Sequence, residues 1–454
     1  MHQKINNIFI SEACGFVLQY VHEIDFPTHL NLLAGSYPYC KRSTKCSVPF
    51  VRKGDTGFSF GDIPLNPESQ LVPNGQKTHI VYSDKAPVKS AGGGMYNNAI
   101  NQAQIMKAYK ACTQVELSDS NIVLPCVLKE EDRAAFIAKH DGIHIRFEFT
   151  SGKPREAHIV NVSTHKFEEY LNSITDDNGN CMSTNPVVKK AFRTLVTHNV
   201  SVNQMSRLSY KNIHDKLPYL SNDVQLNREV DFSVFREGTV IINNMPPGTV
   251  FKSVEAVQDR IEFRIGSNQL KELKEEIDTK IIGPISLLLS SSNIIFLNAE
   301  EAHSLFSLEY NGNHSAEVTK ELARKIKAEF GVSNVVISDE DRPVTALIDG
   351  ELLQESIPGI NSDLSEAIYS LLGQNDAKLR IKDPTGCGDT LAPSFQIARS
   401  IPEFKTLKQK LQFAIFWASV VYRVSGSNLK DLPDATLRDL MALCLESTGA
   451  VSAA

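Results

Sequence analysis

The chain has 454 residues, 42% apolar and 22% charged, with a formal net charge of −6. That composition is ordinary for a soluble globular protein with one large α/β domain or two or three smaller ones. A negative net charge argues against nucleic acid as the main partner, because phosphate backbones select basic surfaces. No stretch is long and apolar enough to span a bilayer, so no membrane association is expected.

The segment Ile8 to Val21 is mostly apolar, but Glu12 interrupts it and it lacks a basic lead-in and a cleavage site. It does not read as a signal peptide. Eight scattered cysteines with no C-x-x-C pair exclude a zinc site of the usual spacing. Their sparseness fits a reducing, cytoplasmic compartment. Residues 1–56 match no recognisable pattern and are expected to form an N-terminal extension. Gly35 to Ser43 ends in Lys-Arg-Ser without a second glycine, so a P-loop is disfavoured.

Ala91-Gly-Gly-Gly opens a helix expected from Asn97 to about Tyr109, with Ala99, Ala103 and Met106 as its apolar stripe. Taken alone, this is a glycine-rich loop leading into a capped helix. Ile143 to Phe149 alternates like a half-exposed strand. Thr175 to Val230 is polar and mixed, and reads as an insertion with some helix. Asn293 to Leu297 is a short apolar run, hence a buried strand, and Asn298-Ala-Glu-Glu-Ala then starts a helix. Val318, Leu322, Ile326 and Phe330 recur every four residues, with Gly331 at the C-cap position. Asn334 to Ser338 and Thr345 to Asp349 are two further strands. Ala377, Leu379 and Ile381 alternate with charges as another. Strands alternating with helices imply a largely parallel sheet covered on both faces.

The strongest chemical signal is Asp383-Pro-Thr-Gly-Cys-Gly-Asp389, between an alternating strand and a helix. Glycines at 386 and 388 let backbone approach a ligand closely. Successive amides at a helix start make an anion-binding nest. A carboxylate at the edge of that nest suits proton abstraction from an attacking hydroxyl. The same residues also suit a plain strand-to-helix turn, with Asp389 complementing the helix dipole. The pattern by itself leaves the two readings level.

The segment resembles the C-terminal signature Asp-Thr-x-Gly-Ala-Gly-Asp of ribokinase-like (PfkB) sugar and nucleoside kinases. Gly92-Gly93-Gly94-Met95-Tyr96-Asn97-Asn98-Ala99 is similar to the family's N-terminal signature, Gly-Gly-x-x-x-Asn-x-Ala. Asn298-Ala-Glu-Glu301 resembles its Asn-x-x-Glu motif. Phe263 to Leu270 loosely resembles the strand-end segment that precedes that motif, with Asn268 in register and Gly266 for the usual Asp.

The resemblance implies a three-layer α/β/α domain over 57–445 with a mostly parallel sheet, an insertion at about 165–230 and a short tail over 446–454. It also implies a small β lid, to which Ile143 to Phe149 is assigned. By resemblance, Asp389 is the general base, and the backbone of Gly386, Cys387 and Gly388 forms the anion hole. Gly92, Gly93 and Asn97 contact substrate hydroxyls, with Asp62 as the candidate sugar-gripping acid. Asn298 and Glu301 place Mg²⁺ through water. Asp383 and Thr385 align with residues that hold a monovalent cation, such as K⁺, in potassium-activated members. The implied activity is transfer of the γ-phosphoryl group of ATP to an alcohol of a small sugar or nucleoside. A homodimer is compatible with this reading.

Several features depart from the family. Leu391 stands where a Phe is common, and Pro393 falls inside the following helix. Ser338-Asp-Glu-Asp-Arg342-Pro replaces the usual Thr-x-Gly-x-x-Gly, gathering three acids where triphosphate would be repelled. These departures favour a rival reading, a non-catalytic metabolite sensor on the same fold. A dinucleotide-dependent oxidoreductase is disfavoured by the absence of Gly-x-Gly-x-x-Gly after an early strand.

Overall fold

The computed structural model describes residues 6–11, 17–23, 88–117, 121–150, 155–161, 173, 175–176, 178–182, 210–213, 229–231, 239–243, 250–257, 259–265, 267–308, 315–339, 342–358, 362–376, 380, 386–424 and 428–450. In chain order the strands are β1 (Asn6–Ser11), β2 (Val17–Glu23), β3 (Val88–Gly92), β4 (Asn121–Val127), β5 (Arg146–Thr150), β6 (Arg155–Asn161), β7 (Tyr210–Ile213), β8 (Glu229–Asp231), β9 (Thr239–Asn243), β10 (Val250–Lys252), β11 (Ile261–Arg264), β12 (Ile294–Asn298), β13 (Asn334–Asp339), β14 (Arg342–Ile348) and β15 (Glu351–Glu355). The α-helices are α1 (Gly94–Thr113), α2 (Glu130–Ala138), α3 (Ser267–Thr279), α4 (Pro284–Ser290), α5 (Ala299–Leu305), α6 (Ala316–Phe330), α7 (Asp363–Leu371), α8 (Cys387–Ser400), α9 (Leu407–Val421) and α10 (Asp434–Ser447).

The main sheet has nine strands in the order β15-β14-β13-β12-β11-β9-β1-β4-β5. Pairing is parallel from β13 through β5 and antiparallel only at β13–β14 and β14–β15. Strand periodicity sorts side chains to two faces. On β12, Ile295 and Leu297 pack towards α4, α5 and α6, whereas Ile294 and Phe296 pack towards α8 and α9. On β13, Val335 and Ile337 take the first face and Val336 the second. The result is a helix–sheet–helix sandwich whose central strands are apolar on both sides, as parallel strands between two helical layers must be.

Several elements form where the sequence places them. Ser315 and Gly331 bound α6, with Gly331 at φ 69°. Asn298 and Glu301 form a reciprocal capping box on α5. The glycine-led helix α1 runs from Gly94 to Thr113, longer than expected, and is buried along most of its length.

Two expectations are corrected. Arg146–Thr150 does not belong to a lid, because β5 is the edge strand of the main sheet, parallel to β4. Phe147 and Phe149 pack edge-on against Phe136 of α2, which gives the alternating segment its buried face. Two smaller sheets are separate from it, a four-stranded one in the order β3-β2-β6-β7 and a two-stranded parallel pair of β10 and β8. Secondly, residues 1–56 are not an appendage throughout. β1 lies inside the main sheet between β9 and β4, and β2 lies in the four-stranded sheet. The α/β domain therefore begins at β1, not at residue 57. The strand expected over Ala377 to Ile381 lies outside the described residues except for Arg380, as does most of the insertion.

β11 breaks the apolar pattern. Ile261 and Phe263 join the α4–α6 core, but Glu262 and Arg264 face α8. Glu262 is 1% exposed and pairs with Arg399 at 3.2 Å, while its Oε2 has no hydrogen-bond partner among the described residues. Burial pushes its pKa up to about 7, against the opposing pull of Arg399. A carboxyl group whose pKa is raised on folding gives stability that is full below its unfolded pKa and is lost as pH rises through the folded value. Glu262→Gln is therefore expected to raise Tm over wild type at pH 8. The gain should shrink to nothing towards pH 4.5 in thermal unfolding followed by circular dichroism.

Candidate functional site

The site forms where α8 starts, at the carboxyl ends of the parallel strands, where open α/β sheets bind ligands. Gly386 caps α8 at φ 85°, ψ −8°, a left-handed conformation that glycine adopts without cost. Cys387 then enters the helix, and this left-to-right reversal turns consecutive amides to one side. The first intrahelical bond runs from Thr390 N to Gly386 O at 2.9 Å, so the amides of Cys387, Gly388 and Asp389 lie ahead of it. Pro393 lies within the helix and supplies no amide for the carbonyl of Asp389, one turn earlier.

Asp389 is 8% exposed. Its carboxylate forms an ion pair with Arg264 at the end of β11 and accepts a hydrogen bond from Asn97 Nδ2 at 3.3 Å. Asn97, wholly buried, lies on the first turn of α1, directly after the glycine run. Gly92 is buried at the end of β3, and Gly93 at φ 108°, ψ 150° makes the turn into the helix. Two segments 292 residues apart thus meet at one carboxylate.

A network of asparagines holds this junction. Asn97 Oδ1 accepts from Asn428 Nδ2 at 3.3 Å, and Asn428 Oδ1 accepts from the amide of Lys430 at 3.2 Å. One turn along α1, Asn101 Nδ2 donates to Thr390 Oγ1 at 2.8 Å, and its Oδ1 accepts from the amide of Leu429 at 2.9 Å. Thr390 Oγ1 donates in turn to Gly386 O at 2.8 Å, fastening the turn itself. Tyr96 anchors the other side of α1, donating from its hydroxyl to His140 Nε2 at 2.6 Å. His140 Nδ1 faces the carbonyl of Phe136 at 2.6 Å, so Nδ1 carries the proton and Nε2 is the acceptor. Burial lowers the pKa of His140, which favours that neutral form.

Arg264 faces two acids. Besides its pair with Asp389, it feels the charge of Glu301, which raises its pKa while burial lowers it more strongly. Glu301 N donates to Asn298 Oδ1, and Asn298 N donates to Glu301 Oε2, both at 2.8 Å. These two residues therefore cap α5 at the end of β12, next to β11. The cap occupies one oxygen of each, and a carboxylate has lone pairs to spare for water. That donor set suits Mg²⁺ held through its waters. On the neighbouring hairpin, Asp339 is buried and pairs with Arg342 at 3.4 Å, so one of the three acids there is offset.

Of the residues expected at the site, Gly93, Asn97, Gly386, Cys387, Gly388 and Asp389 come together, with Gly92 leading into α1. Asn298 and Glu301 join them through Arg264. Asp62, Asp383 and Thr385 lie outside the described residues, and the side chain of Asn268 is likewise not described. The sequence reading missed Arg264, Asn101, Thr390 and Asn428. Arg264 had a visible signal, a charge alternating with Ile261, Phe263 and Ile265 in a buried strand. Asn101 had one too, four residues after Asn97 on a buried helix.

No family model matches the sequence, and no curated protein matches it. Solved structures do. The chain is similar to the ribokinase of Giardia lamblia, with 12% identity and a TM-score of 0.52, covering 97% of this chain and 99% of that one. It is also similar to an Arabidopsis thaliana ribokinase solved with ribose and ATP, with 14% identity and a TM-score of 0.50, covering 97% and 99%. The chain has the ribokinase-like fold.

The asparagine network is predicted to carry much of the local stability. Asn101→Ala leaves the buried Leu429 amide without its partner and removes the donor to Thr390 Oγ1, which keeps its own bond to Gly386 O; the stranded amide costs about 1–3 kcal/mol. Urea unfolding should show that loss as a lower midpoint with an unchanged slope.

Proposed function

We propose that the protein is a phosphotransferase that moves the γ-phosphoryl group of ATP to an alcohol of a small sugar or nucleoside, as a divergent ribokinase-like kinase. One observation carries this reading: Asp389, at the head of an amide nest, is hydrogen-bonded to Asn97 of the glycine-led helix. The two signatures that resemble this family thus converge on one carboxylate. The fold it shares with a ribokinase solved with ribose and ATP supports the same chemistry.

In this mechanism the acceptor hydroxyl lies against Asp389 and Asn97. Asp389 takes the hydroxyl proton as the oxygen attacks the γ-phosphorus, the bond to the bridging oxygen breaks, and ADP leaves. The amides of Gly386 to Gly388 face the transferring oxygens, where preorganised donors act most strongly. Asn298 and Glu301 would hold Mg²⁺ through water, and that ion would neutralise charge on the phosphates. Asp383 and Thr385 would contribute to a monovalent-cation site, and Asp62 would grip the acceptor. The reading also places the protein in the cytoplasm.

The ion pair between Arg264 and Asp389 favours a second reading, a metabolite sensor without turnover, since a carboxylate held by a guanidinium is a weaker base. Turnover separates the two. ADP release should be assayed over a panel of sugars, sugar phosphates and nucleosides with Mg²⁺ and K⁺ present. Asp389→Asn is expected to lose about 10²- to 10⁴-fold in kcat on whichever acceptor is used, the usual worth of general-base catalysis. Near wild-type kcat in that variant would remove Asp389 from the role of base. No turnover by wild type on any acceptor, with a metabolite still raising Tm, would favour the sensor.

A further inference from the structure

Arg264 lies across the mouth of the amide nest. A Cβ placed on Gly388 would meet its Nη2 at 2.8 Å, its Cζ at 3.4 Å and its Nη1 at 3.9 Å. The guanidinium therefore rests against the bare backbone of the first turn of α8, in space that a side chain at 388 would fill. It also pairs with Asp389 and feels Glu301. Both the nest and the guanidinium are positive, so they are comfortable together only with an anion nearby. In the free protein that anion is Asp389. A terminal phosphate entering the nest would supply more negative charge at the same place, with several oxygens for the planar fork of the guanidinium to engage.

We propose that Arg264 is a phosphate-operated gate: it holds Asp389 in the free protein and passes to the terminal phosphate of a bound nucleoside triphosphate, freeing the carboxylate for the acceptor hydroxyl. The inference rests on the kinase reading above. It adds a residue to which none of the recognised motifs gives a role, and it makes the base available only when a triphosphate is present. A nucleoside diphosphate, which has no γ-phosphoryl group to place in the nest, leaves the gate shut.

The test is thermal unfolding of the full chain with Mg²⁺ and equal concentrations of ATP or ADP, because a ligand that binds only the folded state raises Tm according to its affinity. In wild type, ATP should protect more than ADP. Arg264→Gln should keep the ADP shift and lose the ATP excess, a fall in relative affinity of about 10- to 100-fold, as expected for a hydrogen bond between charged groups. Arg264→Lys should recover part of it. In Asp389→Asn the guanidinium no longer has a competing carboxylate, so the ATP preference should exceed that of wild type. An undiminished ATP excess in Arg264→Gln overturns the gate, and so does a weaker ATP preference in Asp389→Asn. The Asp389 variant decides the matter if Arg264→Gln does not fold. If ATP and ADP both leave wild type unshifted, nucleotide binding itself fails and the gate falls with it. Equal shifts from both in wild type overturn the gate while leaving nucleotide binding intact.

Discussion

Charge set on one face of β11, buried at Glu262 and half-buried at Arg264, governs the arrangement around the site. Glu262 and Arg264 are two residues apart and both face α8, where neighbouring strands present Ile294, Phe296 and Val336. Buried charges are tolerated only when paired. α8 supplies both partners: Asp389 from its first turn for Arg264, and Arg399 from its last turn for Glu262. The two pairs have opposite polarity along the strand. Reversing the helix would set Asp389 towards Glu262 and Arg399 towards Arg264, joining like charges in a low-dielectric layer. The pairs therefore select the direction of α8, and that direction points its N-terminal nest at the carboxyl ends of the strands. The feature that orients the helix is the same one that positions the proposed base.

The asparagines show a similar economy. α1 is buried on nearly every face, so its polar side chains must find partners inside the protein. Asn101 spends both ends of its amide on architecture, joining Thr390 to the Leu429 backbone. Asn97, one turn earlier, reaches Asp389 with its amino group and Asn428 with its oxygen. Position along the helix thus separates a structural asparagine from a site asparagine, although the two differ by a single turn. Asn298 and Glu301 combine both roles, because capping α5 also fixes where the Glu301 charge meets Arg264.

Local signals were legible in the sequence to the extent that they are local. The four-residue spacing in α6, its C-cap glycine and the capping residues of α5 depend on neighbours within a turn or two, and the sequence contains those neighbours. The glycine and aspartate of Gly386 to Asp389 were legible for the same reason. What was missed is non-local. Asn6–Ser11 is six residues long, and its hydrogen-bonding partner β9 lies more than 200 residues away, so nothing beside β1 marks it as central. The alternation in Arg146–Thr150 reports one buried face but not which sheet buries it, and the Phe136 contacts decide that. Arg264 lies two residues before Gly266, the position that departs from the family pattern, and its signal is the strand period of Ile261, Phe263 and Ile265, which sets a charge on the opposite, inward face.

The hairpin between β13 and β14 follows from the same accounting of charge. Its sequence, Ser338-Asp-Glu-Asp-Arg342-Pro, carries three acids and no glycine. Burial of Asp339 against Arg342 offsets one of those charges. Under the proposed kinase reading, a triphosphate would meet positive charge at the head of α8, where three helix-leading amides and Arg264 lie together. A cation permanently neutralised by Asp389 would add little to that charge, and a permanently unpaired one would be costly to bury. An arginine that exchanges one anion for another meets both constraints, since it is paired in the free protein and stays paired when the nest is filled.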